Sequence, residues 1–563
     1  MTAAFLATVT TLLVSDGTTV DFGPDGVGGY PVVEITDVKG PTRVRVCYAT
    51  HPDGLKGDRG DFWHETRATY LGPDLWLPIL PANTDRWDWF DVTSNGIYRA
   101  ACAQGLVRYA KWSIDSGAGA TVRSIGFDND GIHSEERVVG SFACSDAAMD
   151  AVWRASVRTC QLAAIPGRDR PIFVKGGRRQ QTLGPSYAYL SDGAKRDRLV
   201  WSGDLWWAQR NMYVAFPFDS PYMPGSIRML GENQTPEGYV QACPFPASHG
   251  PLPKGAWGPF GSDEFAAWFV PVAWDHYLHT GDAAVAREAY PRVRRLMGYL
   301  VAHCRADGFL EPRRETSKHA AGLTFGSSSL HHRTYMNILL WKAYRDAASL
   351  ADAFGTPAEA TEWRARATAL AVRIRATQWN PEKGFFVQSL EDRAWGAEAN
   401  PLALATRFAT AEEAVRVIPQ LRRHSHGKFQ AMAIRGAFEY GRGEKAFELL
   451  NGHNWRKVVE PSWKGLRTTT ECMGLHRRGW GDEAHPDTAI AGLLTNYVLG
   501  VEPTAPGYAR FRVRPQPAGG VTWAKGRVPT PFGFIDVAWR LENGTPVVTV
   551  SAPPACQREY END

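Results

Sequence analysis

Residues 192–207 read DGAKRDRLVWSGDLWW, setting Asp192, Asp197 and Asp204 among Lys195, Arg196 and Arg198 in a frame of Leu199, Val200, Trp201, Trp206 and Trp207. A solvated charged face has no use for so many aromatics, and a packed core tolerates such charge only when it is paired. The glycines and the charge density place the stretch on a loop that enters a helix near Gly203. With Arg196 and Arg198 as ion-pair partners, one Asp can stay ionised as a ligand-binding group. Another, pressed against Trp201, can have its pKa raised by desolvation and act as a proton donor. A structural salt-bridge knot is the competing explanation for the same residues.

A second carboxylate candidate lies far downstream in EPSWKGLRTTTECMGLHRRGWGDEAHPDT, where Glu471 follows three threonines and precedes His476, Trp480, Asp482, Glu483 and His485. The plain alternative for Glu471 is a first-turn carboxylate answering a helix N-terminus. Two carboxylates from opposite ends of one helical zone are nonetheless what glycoside hydrolysis requires. One protonates the leaving oxygen; the other activates water on the opposite face of the sugar. Trp257, in KGAWGPF, either lines such a sugar site or turns a corner.

Composition narrows the classes. With 63 basic and 59 acidic residues the formal net charge is +4, nearly neutral for 563 residues, and no Lys/Arg run tracks a phosphate backbone. Nucleic-acid binding is therefore not expected. The aromatic content is high, at 21 Trp, 19 Tyr and 25 Phe. It serves a large core or a surface for sugars, whose apolar C–H faces are rimmed by hydroxyls. His319, His331, His332 and His485 form no HExxH or other tight metal spacing, and GxSxG, Walker and strand-linked GxGxxG motifs are missing. No metal or cofactor is expected. The eight cysteines are widely spaced without CxxC, which fits free thiols in a reducing compartment. AAFLATVTTLLVS lacks a basic flank and reads as a strand rather than a signal or a membrane span, so a cytoplasmic location is the expectation.

The elements that must position these residues fall in three zones. Residues 1–140 alternate in β fashion (PVVEITDV, TRVRVCYAT, LVRYAKWSI, ATVRSIGF) between Gly/Asp/Asn turns, as a two-sheet sandwich would. At SFACSDAAMDAVWRASVRTCQLAA the texture turns helical, with Ser145 or Asp146 as cap and Met149, Val152, Trp153, Val157 and Leu162 on one stripe. Helical segments recur through 141–503, the last being DTAIAGLLTNYVLGV. Without a fixed-period repeat they suit an all-α toroid better than a solenoid. Residues 504–563 return to β as a small closing sheet, with QREYEND expected to fray.

DGAKRDRLVWSGD resembles the signature of the glycoside hydrolase family 78 α-L-rhamnosidases, which are six-hairpin glycosidases, with Asp192, Arg196, Asp197, Arg198, Trp201, Gly203 and Asp204 in register. GSDEFAAWFVPVAWDHYLHTGD, RTTTECMGL and WGDEAHPDTAIAGLLTNYVLGVEPTAPGYARFRVRP resemble further segments of that family, so that the likeness spans roughly residues 140–520. The resemblance implies an (α/α)6 barrel flanked by an N-terminal β-sandwich and a C-terminal β-sheet domain. It implies inverting hydrolysis of terminal α-L-rhamnosides by general acid and base, with Asp197 as acid and Glu471 as base. Asp192, Arg196, Trp201 and Asp204 would hold the sugar, and Trp257, Trp480 and His485 complete the candidate substrate-binding set. The chain departs from the family where Asp197 replaces the usual Glu, Gly193-Ala194 replaces Cys-Pro, and Thr470 replaces Trp. These departures leave two alternatives: a different sugar, such as another deoxyhexose or a uronic acid, or a sugar-binding relative of weak activity. A uronic acid would need a further cation, for which Arg196, Arg198, Arg313 and Arg314 are candidates.

Overall fold

The computed structural model describes residues 9–13, 19–57, 60–61, 86–100, 104–167, 172–174, 181–183, 187–195, 200–242, 262–310, 333–452, 455–471 and 484–560. The chain divides into two compact units. The first comprises Met1–Glu136, Arg158–Leu199 and Lys457–Pro486, and the second Arg137–Val157, Val200–Arg456 and Asp487–Asp563. Both are discontinuous in sequence, whereas the compositional zones are consecutive. Spatial packing has joined two segments of the helical zone, 158–199 and 457–486, to the N-terminal strands.

In the first unit, β1 (Val9–Leu13), β3 (Val27–Thr36), β6 (Gly96–Arg99), β7 (Gln104–Val107) and β9 (Thr121–Asp128) form one antiparallel sheet, ordered β1-β9-β3-β6 with β7 also pairing β3. β2 (Thr19–Asp21), β4 (Thr42–Ala49), β5 (Trp87–Val92) and β8 (Tyr109–Gly117) form a second, ordered β2-β8-β4-β5. Alternation along each strand sends Val33, Ile35, Val122, Ile125 and Phe127 from the first sheet, and Val44, Val46, Tyr48, Phe90 and Val92 from the second, into one shared apolar core. The register that does this pairs Val33 with Ile125 and Val44 with Phe90.

The second unit is mainly helical: α1 (Ala147–Ala163, whose last turns belong to the first unit), α2 (Ser202–Ala215), α3 (Tyr222–Glu232), α4 (Asp263–Thr280), α5 (Ala283–Ala302), α6 (Arg333–Phe354), α7 (Pro357–Gln378), α8 (Ala399–Ala405), α9 (Ala411–Val417), α10 (Gly427–Glu439), α11 (Gly443–Asn451) and α12 (Ile490–Leu493). Burial sorts them into two kinds. Every residue of α2 and α8 is buried, as is nearly all of α4 and α10, whereas α7 buries only the stripe Ala360, Trp363, Ala367, Leu370 and Ile374 and its last residue, Gln378. The buried helices neighbour one another in the succession α12–α2–α4–α6–α8–α10, and α5, α7 and α11 pack outside α4, α6 and α10. Phe438 of α10 stacks on Tyr497 at 5.0 Å, so that α10 meets the helical turns that follow α12.

Local signals set the helix ends. Asp146 Oδ1 accepts from the amides of Ala148 and Met149 and caps α1. The Gly281-Asp282 pair works as two caps: Gly281 ends α4 at φ 69°, and Asp282 accepts from Ala284 and Val285 to start α5. DTAIAGLLTNYVLG is not one α-helix. A 3-10 turn at Pro486–Thr488 is followed by left-handed Ala489 (φ 55°), the short α12, and a wider π-type run Leu494–Leu499.

The C-terminal strands Trp523–Thr530, Gly533–Glu542 and Thr545–Ser551 form an antiparallel sheet that β10 (Ser141–Cys144) extends. The tail corrects an expectation: Gln557–Glu559 does not fray but pairs in parallel with Arg510–Arg512. Its polar side chains carry no strand pattern; the neighbouring strand supplies the backbone partners. Among the described cysteines Cys144, Cys304 and Cys556 are free thiols. No described helix is long and apolar enough to cross a membrane.

Candidate active site

Three segments of the first unit carry Asp192, Glu471 and His485, and short hydrogen bonds tie them together. Ser191 donates its amide and its hydroxyl to the carbonyl of Ala163, at 2.9 and 2.7 Å, which fixes the start of the Asp192 loop. Two residues on, the Ala194 amide donates to the Ala484 carbonyl at 3.2 Å, joining that loop to the segment of His485. The threonines before Glu471 complete the connection. The His485 amide donates to the Thr469 carbonyl at 3.0 Å, Thr469 Oγ1 donates back to the His485 carbonyl at 3.0 Å, and the Ala484 amide donates to Thr468 Oγ1 at 3.2 Å. Thr469 is in turn pinned to Thr159 of α1 through its amide at 2.9 Å. Beneath the three segments lies a small apolar core of Leu106, Leu162, Ala194, Leu466 and Ala484.

On this frame Asp192 is 2% exposed, Glu471 5% and His485 fully buried. His485 Nε2 stands 3.9 Å from Glu471 Oε1. A carboxylate so enclosed, beside an imidazole, is oriented before any ligand arrives, as acid–base chemistry requires. The consecutive threonines have a physical use here. Their hydroxyls satisfy buried backbone groups that a strand ladder would otherwise have to pair.

The salt-bridge knot weighed against a catalytic role for DGAKRDR also exists, but it employs Lys195. Lys195 Nζ lies 2.9 Å from Asp61 Oδ2 and 3.2 Å from Thr50 Oγ1, and Arg86 Nη1 holds the other Asp61 oxygen at 3.1 Å. Arg86 further donates to Gln104 Oε1 at 3.2 Å and to the Leu106 carbonyl at 2.5 Å. Lys195, Asp61 and Arg86 are all essentially buried. One motif thus contains both an anchor and a candidate ligand-binding carboxylate.

Trp201 and Asp204 belong to the second unit, at the start of α2. Trp201 meets Phe265 edge-on at 5.7 Å, and Ser202 Oγ donates to the Phe265 carbonyl at 2.6 Å. Gly203 lies so near that a Cβ would sit 2.8 Å from the Phe265 ring, so WSGD needs glycine there for close packing of α2 on α4. That packing sets Asp204 within 3.2 Å of Lys428 Nζ on α10. Burial opposes the charge on Lys428, but Asp204, Glu264 and Asp487 outweigh it and hold its pKa above the ordinary lysine value. Tyr335, at the start of α6, is pushed well up by burial and by Glu264.

Asp197, Arg196, Trp257 and Trp480 lie outside the described residues, as do Arg198, Arg313, Arg314, His319, His331 and His332. The sequence reading missed Lys428, Glu264, Tyr335 and Asp487. A usable signal was present for two of them: Lys428 and Glu264 each sit in the first turn of an otherwise apolar helix, in GKFQAMAI and DEFAAWF.

Residues 184–429 match the model of the bacterial alpha-L-rhamnosidase 6 hairpin glycosidase domain. The succession of buried and covering helices, with buried carboxylates on the turns that lead into it, is that of a six-hairpin glycosidase. Residues 500–559 match the bacterial alpha-L-rhamnosidase C-terminal domain, the two matches together take in more than half of the sequence, and the chain belongs to the bacterial α-L-rhamnosidase family. A curated alpha-L-rhamnosidase of Alteromonas sp. (strain LOR) is 25% identical over 66% of this chain and 41% of its own length. One of Streptomyces avermitilis is 24% identical over 64% of this chain and 34% of its own length. The chain therefore spans well under half the length of these relatives. Among solved structures, the GH78 family rhamnosidase of Bacillus sp. GL1 superposes with a TM-score of 0.69 at 18% identity, covering 98% of this chain and 54% of that one. The Klebsiella oxytoca rhamnosidase with rhamnose bound gives 0.64 at 16% identity, covering 88% and 89%. Likeness at these identities speaks for the fold.

Proposed function

We propose that this chain hydrolyses terminal α-L-rhamnosides with inversion at the anomeric carbon, using Asp197 as general acid and Glu471 as general base. The single observation that carries the reading is Glu471, buried and 3.9 Å from His485, on a segment hydrogen-bonded through Ala484 to the loop that leads from Asp192 towards Asp197. In this scheme Asp197 gives its proton to the leaving oxygen as the glycosidic bond breaks. Glu471 takes a proton from the attacking water, and His485 keeps the carboxylate aimed at that water. Asp192 and Asp204 accept hydrogen bonds from sugar hydroxyls, Arg196 donates to them, and Trp201, Trp257 and Trp480 offer apolar faces. An inverting pair leaves roughly 6.5–9.5 Å between its carboxyls, room for one water. The substrate is accordingly a rhamnose-containing glycoside or oligosaccharide. The same reading takes the helical succession as an (α/α)6 barrel and the two N-terminal sheets, with their common core, as a β-sandwich; the buried–covering alternation of the helices supports it.

The test is a panel of aryl glycosides and natural rhamnosides, with the product anomer followed by proton NMR. Release of β-L-rhamnose as the first product is expected. A first product of α configuration, or turnover confined to another sugar, would sink the scheme. Asp197→Asn and Glu471→Gln should each lower kcat by about 10²–10⁴-fold with Tm unchanged. Near wild-type turnover in both would show the acid and base misassigned.

A further inference from the structure

A second charged centre lies within the helical unit, further along the buried helices than Asp204, Glu264 and Lys428. It is a cavity of about 220 Å³ walled by α2, α4, α6, α8, α10 and the strand Val501–Pro503. Its cations are Arg210, Lys342, Arg407, Arg435 and Arg512, and its carboxylates are Asp275, Glu439 and Glu502. The carboxylates are spoken for: Asp275 by Arg210 at 2.6 Å, Glu439 by Arg407 at 2.6 Å, Arg435 at 3.2 Å and Tyr497 at 2.7 Å, and Glu502 by Arg512 at 2.6 Å. Lys342 turns to Asp346, behind the wall, at 2.5 Å. His279 adds no charge at neutral pH, since burial and the neighbouring Arg210 bring its pKa down to about 4.

Positive charge is therefore in excess, by two on the wall and by one when Asp346 is included. The excess has a direction. Arg210 is only 7% exposed and Arg435 faces it with like charge, yet Arg210 Nε and Arg435 Nη1 are buried without a hydrogen-bond acceptor among the described residues. Both guanidinium groups and the Lys342 ammonium also lie 5.0–6.0 Å from the ring of Trp206, whose stacking on Trp268 floors this region. Cation–π attraction offsets part of the repulsion but supplies no acceptor for an N–H. Arg407, with a half-exposed side chain, lies on the solvent side of the group.

We propose that this cavity binds a small oxyanion of the phosphate or sulfate kind. The guanidinium groups of Arg210 and Arg435, which line it, would donate to it, and Arg407 would meet it on the solvent side. The size suits a small ion with a few waters, or a small organic ester of one. The ligand differs in kind from a neutral sugar, and the proposal stands independently of the rhamnosidase reading.

Titration of the full chain with inorganic phosphate, against sodium chloride at equal ionic strength, tests it by calorimetry and thermal melting. Phosphate in about tenfold excess over its Kd should raise Tm by about 2–4 °C above the chloride control. Sulfate should give a rise of the same kind. Arg407→Gln, which leaves Glu439 with Arg435 and Tyr497, should weaken phosphate binding about tenfold, and Arg435→Met should abolish it. A phosphate shift no larger than that of chloride, or one unchanged in Arg407→Gln, overturns the proposal. Should Arg435→Met fail to fold, Arg407→Gln decides.

Discussion

The buried helices of the second unit carry charge at two levels, and the levels are built differently. At the starts of α2, α4 and α10 the cation Lys428 is held by Asp204, Glu264 and Asp487. About 9 Å of helix rise further on, counted from Asp204 to Arg210, cations outnumber carboxylates around the 220 Å³ cavity. Trp206 and Trp268, stacked at 4.7 Å, lie between the two levels along α2 and α4. Helix dipoles account for the sense of the arrangement, since carboxylates are favoured near N-termini and guanidinium groups towards C-termini. They do not account for uncommitted N–H groups. The acidic level is rich in acceptors, which suits the hydroxyls of a neutral sugar; the basic level is rich in donors, which suits an oxyanion.

The largest effect should come from breaking the acidic level. Lys428→Met removes the buried cation beside Asp204, Glu264 and Asp487, and a loss of about 3–5 kcal/mol in unfolding free energy is expected by chemical denaturation. A loss below about 1 kcal/mol would mean that water, and not Lys428, balances those carboxylates. The basic level is sharpened by pH. Burial raises the pKa of Asp346 to about 6 even with Lys342 beside it, so the folded state holds that proton more tightly than the unfolded chain does. Its contribution is fully present below about pH 4 and is lost as pH rises through about 6. Asp346→Asn should therefore gain on the wild type by about 2–3 kcal/mol between pH 4 and 7, as read from denaturant midpoints at the two values. A constant difference across that range would show that the fold leaves the Asp346 pKa at its unfolded value. Smallest is Gly203→Ala, whose methyl group would press on the Phe265 ring. It should cost about 1–3 kcal/mol and shift the start of α2, seen as weaker sugar binding with the basic level untouched.

What could be read from the sequence was local. The cap at Asp146, the Gly281-Asp282 double cap, the apolar stripe of α1 and the strand alternations each lie within a few residues of the structure they produce. The charge-and-tryptophan stretch was legible as a candidate site for the same reason: its contradiction is internal. Its anchors were not. Lys195 meets Asp61 across 134 positions, and Asp204 meets Lys428 across 224, with no periodicity linking either pair. The parallel tail strand and the π-type run after α12 were hidden too, because backbone partners and a left-handed Ala489 decide them rather than side-chain pattern.

The Lys195–Asp61–Arg86 network bears on how far this protein can be dismantled. Modular enzymes tolerate removal of an appended domain when nothing essential crosses the seam. Here a lysine three residues beyond Asp192 is paired with an aspartate from the strand-rich N-terminal segment, and both side chains are buried. A fragment beginning after residue 140 would lack Asp61 and Thr50, which hold Lys195 in the very loop that leads to the proposed acid. The N-terminal region thus belongs with the proposed site in a genetic sense: deletions there, and conservative-looking exchanges at Asp61, are expected among the changes that abolish the proposed activity.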